Sequence, residues 1–332
     1  MKKVLSGKMI PRVGLGCMGM SEFYGPVNDD QSSKALQKAF DLGFRHFDTA
    51  DMYGFGHNES LIGLFINQLG QQRQNIVVAT KVGIQRERNN LYKLSVNASK
   101  SYIKESCNNS LRRLQTDYID LYYLHRIDPN RPVEESIEAL QELLNEGKIK
   151  SVGLCETSAE TIKKFHAMLP VEAVQSEYSL WTRDIESSVL PTCEELGISV
   201  VAFSPLGRGF LAGQIGRDFM SKADSELDFR ARLPRFNNDN IDKNLALLKH
   251  FQDLCQKIGV TPSQMALAWI LNKSKSTFII PGTKKEQYLL NNFSAEDITL
   301  EATVMANLNE MFVASAVHGS RYPADILAHS NA

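Results

Sequence analysis

The sequence predicts an α/β fold, a single-domain barrel of parallel strands, on three observations. Short β-rich runs alternate with amphipathic helical stretches along 332 residues, the pattern of parallel strands joined by helical crossovers. Eight such runs can be marked. Three of the helix-to-strand junctions carry the same glycine device, and no linker or low-complexity tract divides the chain. Barrels of this kind commonly exceed the usual domain length as one unit.

The expected strands lie near residues 13–17, 44–49, 76–81, 118–125, 149–155, 173–177, 199–203 and 278–281. Between the fourth and fifth, VEESIEALQELLNEGK sets Val133, Ile137, Leu140 and Leu144 on one helical face, the spacing of a helix packed on a sheet. Gly147 ends that helix. Gly43 and Gly197 stand at equivalent junctions, where a left-handed glycine stops a helix before the next strand. The regularity breaks after the seventh strand, where about 206–240 hold SPLGRGFLAG, a charged stretch and LPRFNNDN. A loop that long in a compact domain is commonly functional or disordered.

Composition excludes several function classes. Hydrophobic content of 43% supports a large core, and 23% charged residues is ordinary for a globular protein. A formal net charge of −1, with Lys and Arg spread along the chain, makes no electrostatic case for nucleic acid or an anionic membrane. The five cysteines, Cys17, Cys107, Cys155, Cys193 and Cys255, form no CxxC pair and no zinc-finger spacing, so a reducing compartment is expected. In MKKVLSGKMIPRVG, Ser6, Gly7, Lys8 and Pro11 interrupt any apolar run, so neither a signal peptide nor a membrane helix is expected there. The expected location is the cytoplasm.

Four polar side chains then stand out. Asp48 lies in RHFDTADMYG with Tyr53 five residues on, Lys81 ends NIVVATKVG, and His125 ends IDLYYLHRID. Alone, each has a structural reading: a turn or capping acid, a packed aromatic, a solvated strand end, a half-buried imidazole. Together they sit at the carboxyl ends of separate strands, the rim where barrels carry chemistry. An acid, a phenol, an amine and an imidazole converging there form a set able to donate a proton to a carbonyl.

Over nearly its whole length the chain resembles the aldo-keto reductases. The matching blocks are PRVGLGCMGMS, FRHFDTADMYG, NESLIG, VATKVG, DLYYLHR, VGLCETSAETI, VQSEYSLW, VAFSPLGRGFL and IPGTKKEQYLLNN. The resemblance implies a (β/α)8 TIM barrel, with a catalytic tetrad of Asp48, Tyr53, Lys81 and His125. It implies reduction of aldehydes or ketones to alcohols by hydride transfer from NADPH, Tyr53 being the general acid. A tyrosine titrates ordinarily near pH ~10. The Lys81 ammonium is expected to lower that value, with Asp48 holding Lys81 and His125 orienting the carbonyl oxygen.

The same resemblance places NADP(H) across the strand ends. Met18 and Gly19 border it, Cys155 and Gln175 match carboxamide-binding positions, and Phe203 matches a stacking aromatic. The commoner residue at position 155 is serine. Ser204, Pro205, Leu206, Gly207 and Arg208 are expected to wrap the pyrophosphate, and the 206–240 loop to lie over the cofactor. Gly282, Thr283 and Lys284 precede a helix whose free N–H groups suit an anion, and Lys284 is inferred to meet the adenosine 2′-phosphate. Where some members have an arginine four residues on, this chain has Tyr288. Asn291 and Asn292 match an adenine-contacting Glu-Asn pair.

Gly14 to Gly19 also match GxGxxG, the dinucleotide fingerprint, but Pro11 breaks the segment before it and SEFYGP follows. The fingerprint needs a strand before and a helix directly after, so a Rossmann domain is not expected. Phe23, Tyr24, Trp181, Arg321 and Tyr322 fall in loops that shape the family's substrate opening. Chain details resemble the branch containing pyridoxal and perakine-type alkaloid carbonyl reductases, which points to an aromatic aldehyde. Two rivals remain: a non-catalytic, NADP-binding, redox-sensing regulatory subunit of the same fold, and a metalloenzyme using His57, Glu59 and His125. The second has no recognised ligand spacing, and no metal is expected. The oligomeric state is left open.

Overall fold

The computed structural model describes residues 2–87, 90–213, 215–219 and 228–327. Twelve strands occur among them, eight of which form one sheet in the order β12-β11-β10-β9-β8-β5-β4-β3. These are β3 (Leu15–Gly16), β4 (His46–Asp48), β5 (Val77–Val82), β8 (Ile119–Leu124), β9 (Ile149–Cys155), β10 (Ala173–Glu177), β11 (Ser199–Phe203) and β12 (Thr277–Ile279). Every neighbouring pair is parallel. Gly14 N donates to Ile279 O at 2.8 Å and Ile279 N to Arg12 O at 2.9 Å, so the first strand meets the last. The sheet is a barrel, and the chain is a single-domain (β/α)8 fold with each expected strand present, β3, β4, β8 and β12 shorter than expected.

β5, β8 and β10 are buried at every position, as a sheet covered on both faces requires. Inside the barrel, Val77, Ala79, Leu121, Tyr123, Ala173, Val201 and Phe278 form one cluster. Helices cover the outside. Val133–Asn145 buries Ile137 and Leu140, half of the predicted face, with Val133 and Leu144 partly buried against the same core. The three junction glycines take positive φ: Gly43 at 108°, Gly147 at 71° and Gly197 at 69°. A β-carbon at these positions would strain the backbone, which is why the helices stop there.

Two hairpins decorate opposite ends. β1 (Lys2–Leu5) and β2 (Lys8–Pro11) form an antiparallel pair whose Leu5 and Ile10 join the interior cluster, closing the amino end of the barrel. Lys8 fastens this plug through Asp120 and the Ile76 carbonyl. β6 (Ile84–Glu87) and β7 (Asn90–Val96) pair antiparallel beyond β5, at the carboxyl end.

The predicted 206–240 segment contains 3-10 turns at Gly207–Gly209, Phe229–Arg232 and Pro234–Phe236. Residues 214 and 220–227 of it lie outside the described residues. The GxGxxG motif contains β3 itself and runs into a 3-10 turn at Met18–Met20. The first long helix begins only at Asp29, so no dinucleotide fingerprint is formed. Among the described residues no helix is long and apolar enough to cross a membrane.

Candidate active site

The carboxyl rim of the barrel brings the four expected residues together. Asp48 ends β4, Lys81 is the penultimate residue of β5, and His125 follows β8. Tyr53 opens the turn after β4, where Gly54, Phe55 and Gly56 all take positive φ and reverse the chain so that the phenol faces the rim. Lys81 Nζ lies 2.5 Å from Asp48 Oδ1, 2.7 Å from Thr49 O and 3.3 Å from the Tyr53 hydroxyl. An ammonium has three donors, and all three are committed. The Tyr53 and His125 rings meet edge-on at 6.1 Å.

Tyr53 accepts from Lys81, so its own proton is free to face the cavity. Burial pushes the phenol up to about 12, with Asp48 adding to the rise, against the downward pull of Lys81. The expectation that Lys81 leaves this phenol more acidic than usual is therefore corrected: taking the site out of water outweighs the neighbouring charge. The consequence is a donor that stays loaded at neutral pH. Burial works against the charged form of Lys81, but Asp48 above all, with Tyr53 and Cys155, holds its pKa above the ordinary lysine value. Burial, with Lys81, Arg126 and Arg86, drives His125 well below the usual imidazole range. His125 is thus neutral, with Nδ1 lacking a partner. Gln175 donates to Asp48 Oδ2 at 2.7 Å, fixing the second carboxylate oxygen.

From this rim a cavity of about 950 Å³ extends across the ends of β11 and β12. Asp48, Tyr53 and His125 line it, as do Met18, Gly19, Cys155, Gln175, Phe203, Ser204, Pro205, Leu206, Arg208, Gly282, Thr283, Lys284, Tyr288, Asn291 and Asn292. Lys81 stands behind Tyr53. Gly207 is buried against Trp181, where a β-carbon would come within 2.8 Å of the ring; it shapes the turn and is not part of the lining. Burial pushes Cys155 up to about 12, so it presents a neutral thiol.

The far end fits a dinucleotide by its donor set. The helix Glu286–Phe293 directs its first N–H groups toward a stretch holding Lys284 and Lys285, both on the cavity wall. Lys284 Nζ donates to the carbonyls of Pro26 at 2.6 Å and Tyr24 at 3.3 Å. At the floor, a β-carbon on Gly16 would stand 2.7 Å from Ile280 O, so only glycine lets the closing strands approach there. Asn291 bonds Thr261 and Ser263. Three non-glycine residues of the wall, Phe23, Ser204 and Arg208, have positive φ of 68°, 49° and 59°. Strain of this kind gathers at functional rims.

Several expected residues serve structure. Arg208 pairs with Glu177 Oε2 at 3.2 Å and bonds Tyr322, so its guanidinium is spent on neighbours. Trp181, expected at the substrate opening, is buried and stacks on Phe210 at 3.9 Å between centroids. Arg321 clamps Glu156 at 2.7 Å. Phe23, Tyr24 and Tyr322 do line the cavity. Glu59 is committed to Thr80 and Arg113, and His57 to Ser21 and Asp29. His57, Glu59 and His125 do not converge, and among the described residues no group of three metal-binding side chains exists. The sequence reading missed Arg126, which lines the cavity; its signal was a cation immediately after His125 at a catalytic strand end.

A sequence profile described as the Aldo/keto reductase family matches residues 12–312. A soybean protein named probable aldo-keto reductase 1 is 39% identical over 317 residues, which cover 95% of this chain and 89% of that protein. The Schizosaccharomyces pombe protein named aldo-keto reductase yakc [NADP(+)] is 39% identical over 318 residues, covering 95% and 92%. Among solved structures, the glycerol dehydrogenase AKR11B4 of Gluconobacter oxydans superposes with a TM-score of 0.85 at 28% identity, over 97% of this chain and 98% of that one.

Proposed function

The chain belongs to the aldo/keto reductase family and is an NADP(H)-dependent oxidoreductase, and we propose that it reduces aldehydes or ketones with Tyr53 as proton donor. The balanced reaction is carbonyl plus NADPH plus a proton giving alcohol plus NADP⁺. The nicotinamide, when bound, supplies the hydride to the carbonyl carbon. Tyr53 gives its proton to the carbonyl oxygen, and neutral His125 donates a hydrogen bond to the same oxygen. Lys81 stabilises the phenolate left behind, and Asp48 with Gln175 keeps the ammonium in place.

The observation that carries this reading is the 3.3 Å contact from Lys81 to the Tyr53 oxygen, which leaves the phenol's proton facing the cavity. The remaining expected contacts support NADP(H) as cofactor: Lys284 for the 2′-phosphate, the Glu286–Phe293 helix start for anionic oxygens, and Phe219, Phe229 and Arg230, which line the cavity, as part of a cover. Aromatic side chains at the opening, Phe23, Tyr92 and Phe229, pack within 6.1 Å of one another between centroids and favour an aromatic aldehyde. All five cysteines are free and buried, which suits the cytoplasm. Steady oxidation of NADPH by benzaldehyde, followed at the nicotinamide absorbance, tests the proposal. Binding of NADPH without turnover across a carbonyl panel would favour the regulatory-subunit reading.

A further inference from the structure

Arg126 is a cavity cation that the mechanism does not use. It follows His125 at the end of β8 and lines the same cavity as Tyr53 and His125. One of its N–H groups donates to the His125 carbonyl at 2.7 Å, which folds the side chain back along the rim. Its charge bears on His125, Cys155 and Tyr322, three residues of that wall, so the guanidinium stands at the substrate end.

The other arginines of the lining are neutralised. Arg208 has Glu177 at 3.2 Å and Arg230 has Asp228 at 2.6 Å. The acids nearest the rim are likewise committed, Glu156 to Arg321 and Glu22 to Arg86. Among the described residues, Arg126 is the only arginine of the cavity wall without a carboxylate partner. A guanidinium presents a planar fork that matches a carboxylate, and a half-buried cation facing an apolar cavity lacks such a partner until a ligand brings one.

We propose that Arg126 is a specificity-determining residue that selects carbonyl substrates carrying a carboxylate. The inference rests on the carbonyl-reductase reading above and names the substrate class of that site. The aromatic wall accepts the carbon framework, His125 and Tyr53 take the carbonyl oxygen, and Arg126 takes the anion.

The test compares kcat/KM for 4-carboxybenzaldehyde and its methyl ester, in wild type, Arg126→Met and Arg126→Lys. Wild type is expected to prefer the acid about ten-fold, the factor that ~1.4 kcal/mol gives. Arg126→Met should abolish that ratio, and Arg126→Lys should retain part of it. Benzoate should inhibit wild type more strongly than benzamide does, a measurement that needs no variant. An acid-to-ester ratio at or below one in wild type, or a ratio unchanged in Arg126→Met, overturns the inference while leaving the reductase reading intact. Failure of both aldehydes and of benzaldehyde to oxidise NADPH would instead remove the reading on which it rests.

Discussion

Lys81 donates to the Tyr53 hydroxyl at 3.3 Å from an ammonium whose other two donors are held by Asp48 and the Thr49 carbonyl. The amine cannot drift without breaking a buried ion pair, so the phenol meets a fixed charge. Activity and stability are coupled through that pair.

Lys81→Met should lower kcat by about a hundred-fold or more, the scale of a lost acid–base partner. It should also destabilise the protein by about 3–5 kcal/mol, because Asp48 is left buried and uncompensated. Adding Asp48→Asn should recover part of the stability and none of the activity. Urea unfolding beside steady-state kinetics checks both; equal stability of the single and double variants would show that the unpaired Asp48 carries no penalty and would contradict the expected loss.

The pH profile follows from the two displaced groups. Tyr53 is held up to about 12 and His125 well below its ordinary value, so neither changes protonation between about pH 6 and about pH 9. We expect kcat/KM for reduction to be flat across that window and to fall only as the phenol ionises at the alkaline end. A limb near pH ~6.5 that disappears in His125→Gln would contradict a neutral His125.

His46 predicts acid sensitivity. It is fully buried beneath Gly14, and burial lowers its pKa from 6.5 to about 4. The unfolded chain therefore takes up the proton first, so stability present above pH 6.5 is lost as pH falls toward 4. The loss from this group is about 3 kcal/mol. Unfolding midpoints between pH 7 and pH 4 should drop less steeply in His46→Gln than in wild type, whatever that variant's stability at neutral pH. Identical slopes would contradict the account.

Lys284 is expected to read the cofactor. Its ammonium stands on the cavity wall, held by the carbonyls of Tyr24 and Pro26, where a 2′-phosphate would offer a stronger acceptor. Lys284→Ala should raise KM for NADPH about ten-fold or more and leave KM for NADH nearly unchanged. Equal effects on both would reduce this lysine to a strut between two loops.

The strands are legible in the sequence because the barrel buries both faces of most of them, leaving apolar runs such as Ile76–Ala79. The helix stops are legible because a left-handed residue without a β-carbon leaves a glycine. β3 is only two residues long, and around it Gly14 and Gly16 closely approach His46 and Ile280, a contact no local pattern announces. The β1–β2 plug has a Ser6-Gly7 turn with φ of 48° and 73°, a hairpin signal obscured by very short strands. The tetrad is legible because Asp48, Lys81 and His125 lie at or just past the ends of three separate strands, with Tyr53 in the turn that follows Asp48. The direction of the Tyr53 shift is not, since it depends on how much water the folded rim excludes. Trp181 and Arg208 show the same limit, because the stacking of one and the pairing of the other arise only when distant segments meet.

The most direct test is Tyr53→Phe, with single-turnover reduction of an aromatic aldehyde and NADPH binding measured on the same preparation. The variant should bind NADPH within about two-fold of wild type and lose at least about a hundred-fold in the reduction rate, the scale of an absent general acid. A variant that reduces the aldehyde at the wild-type rate would contradict the assignment of Tyr53 as the proton donor.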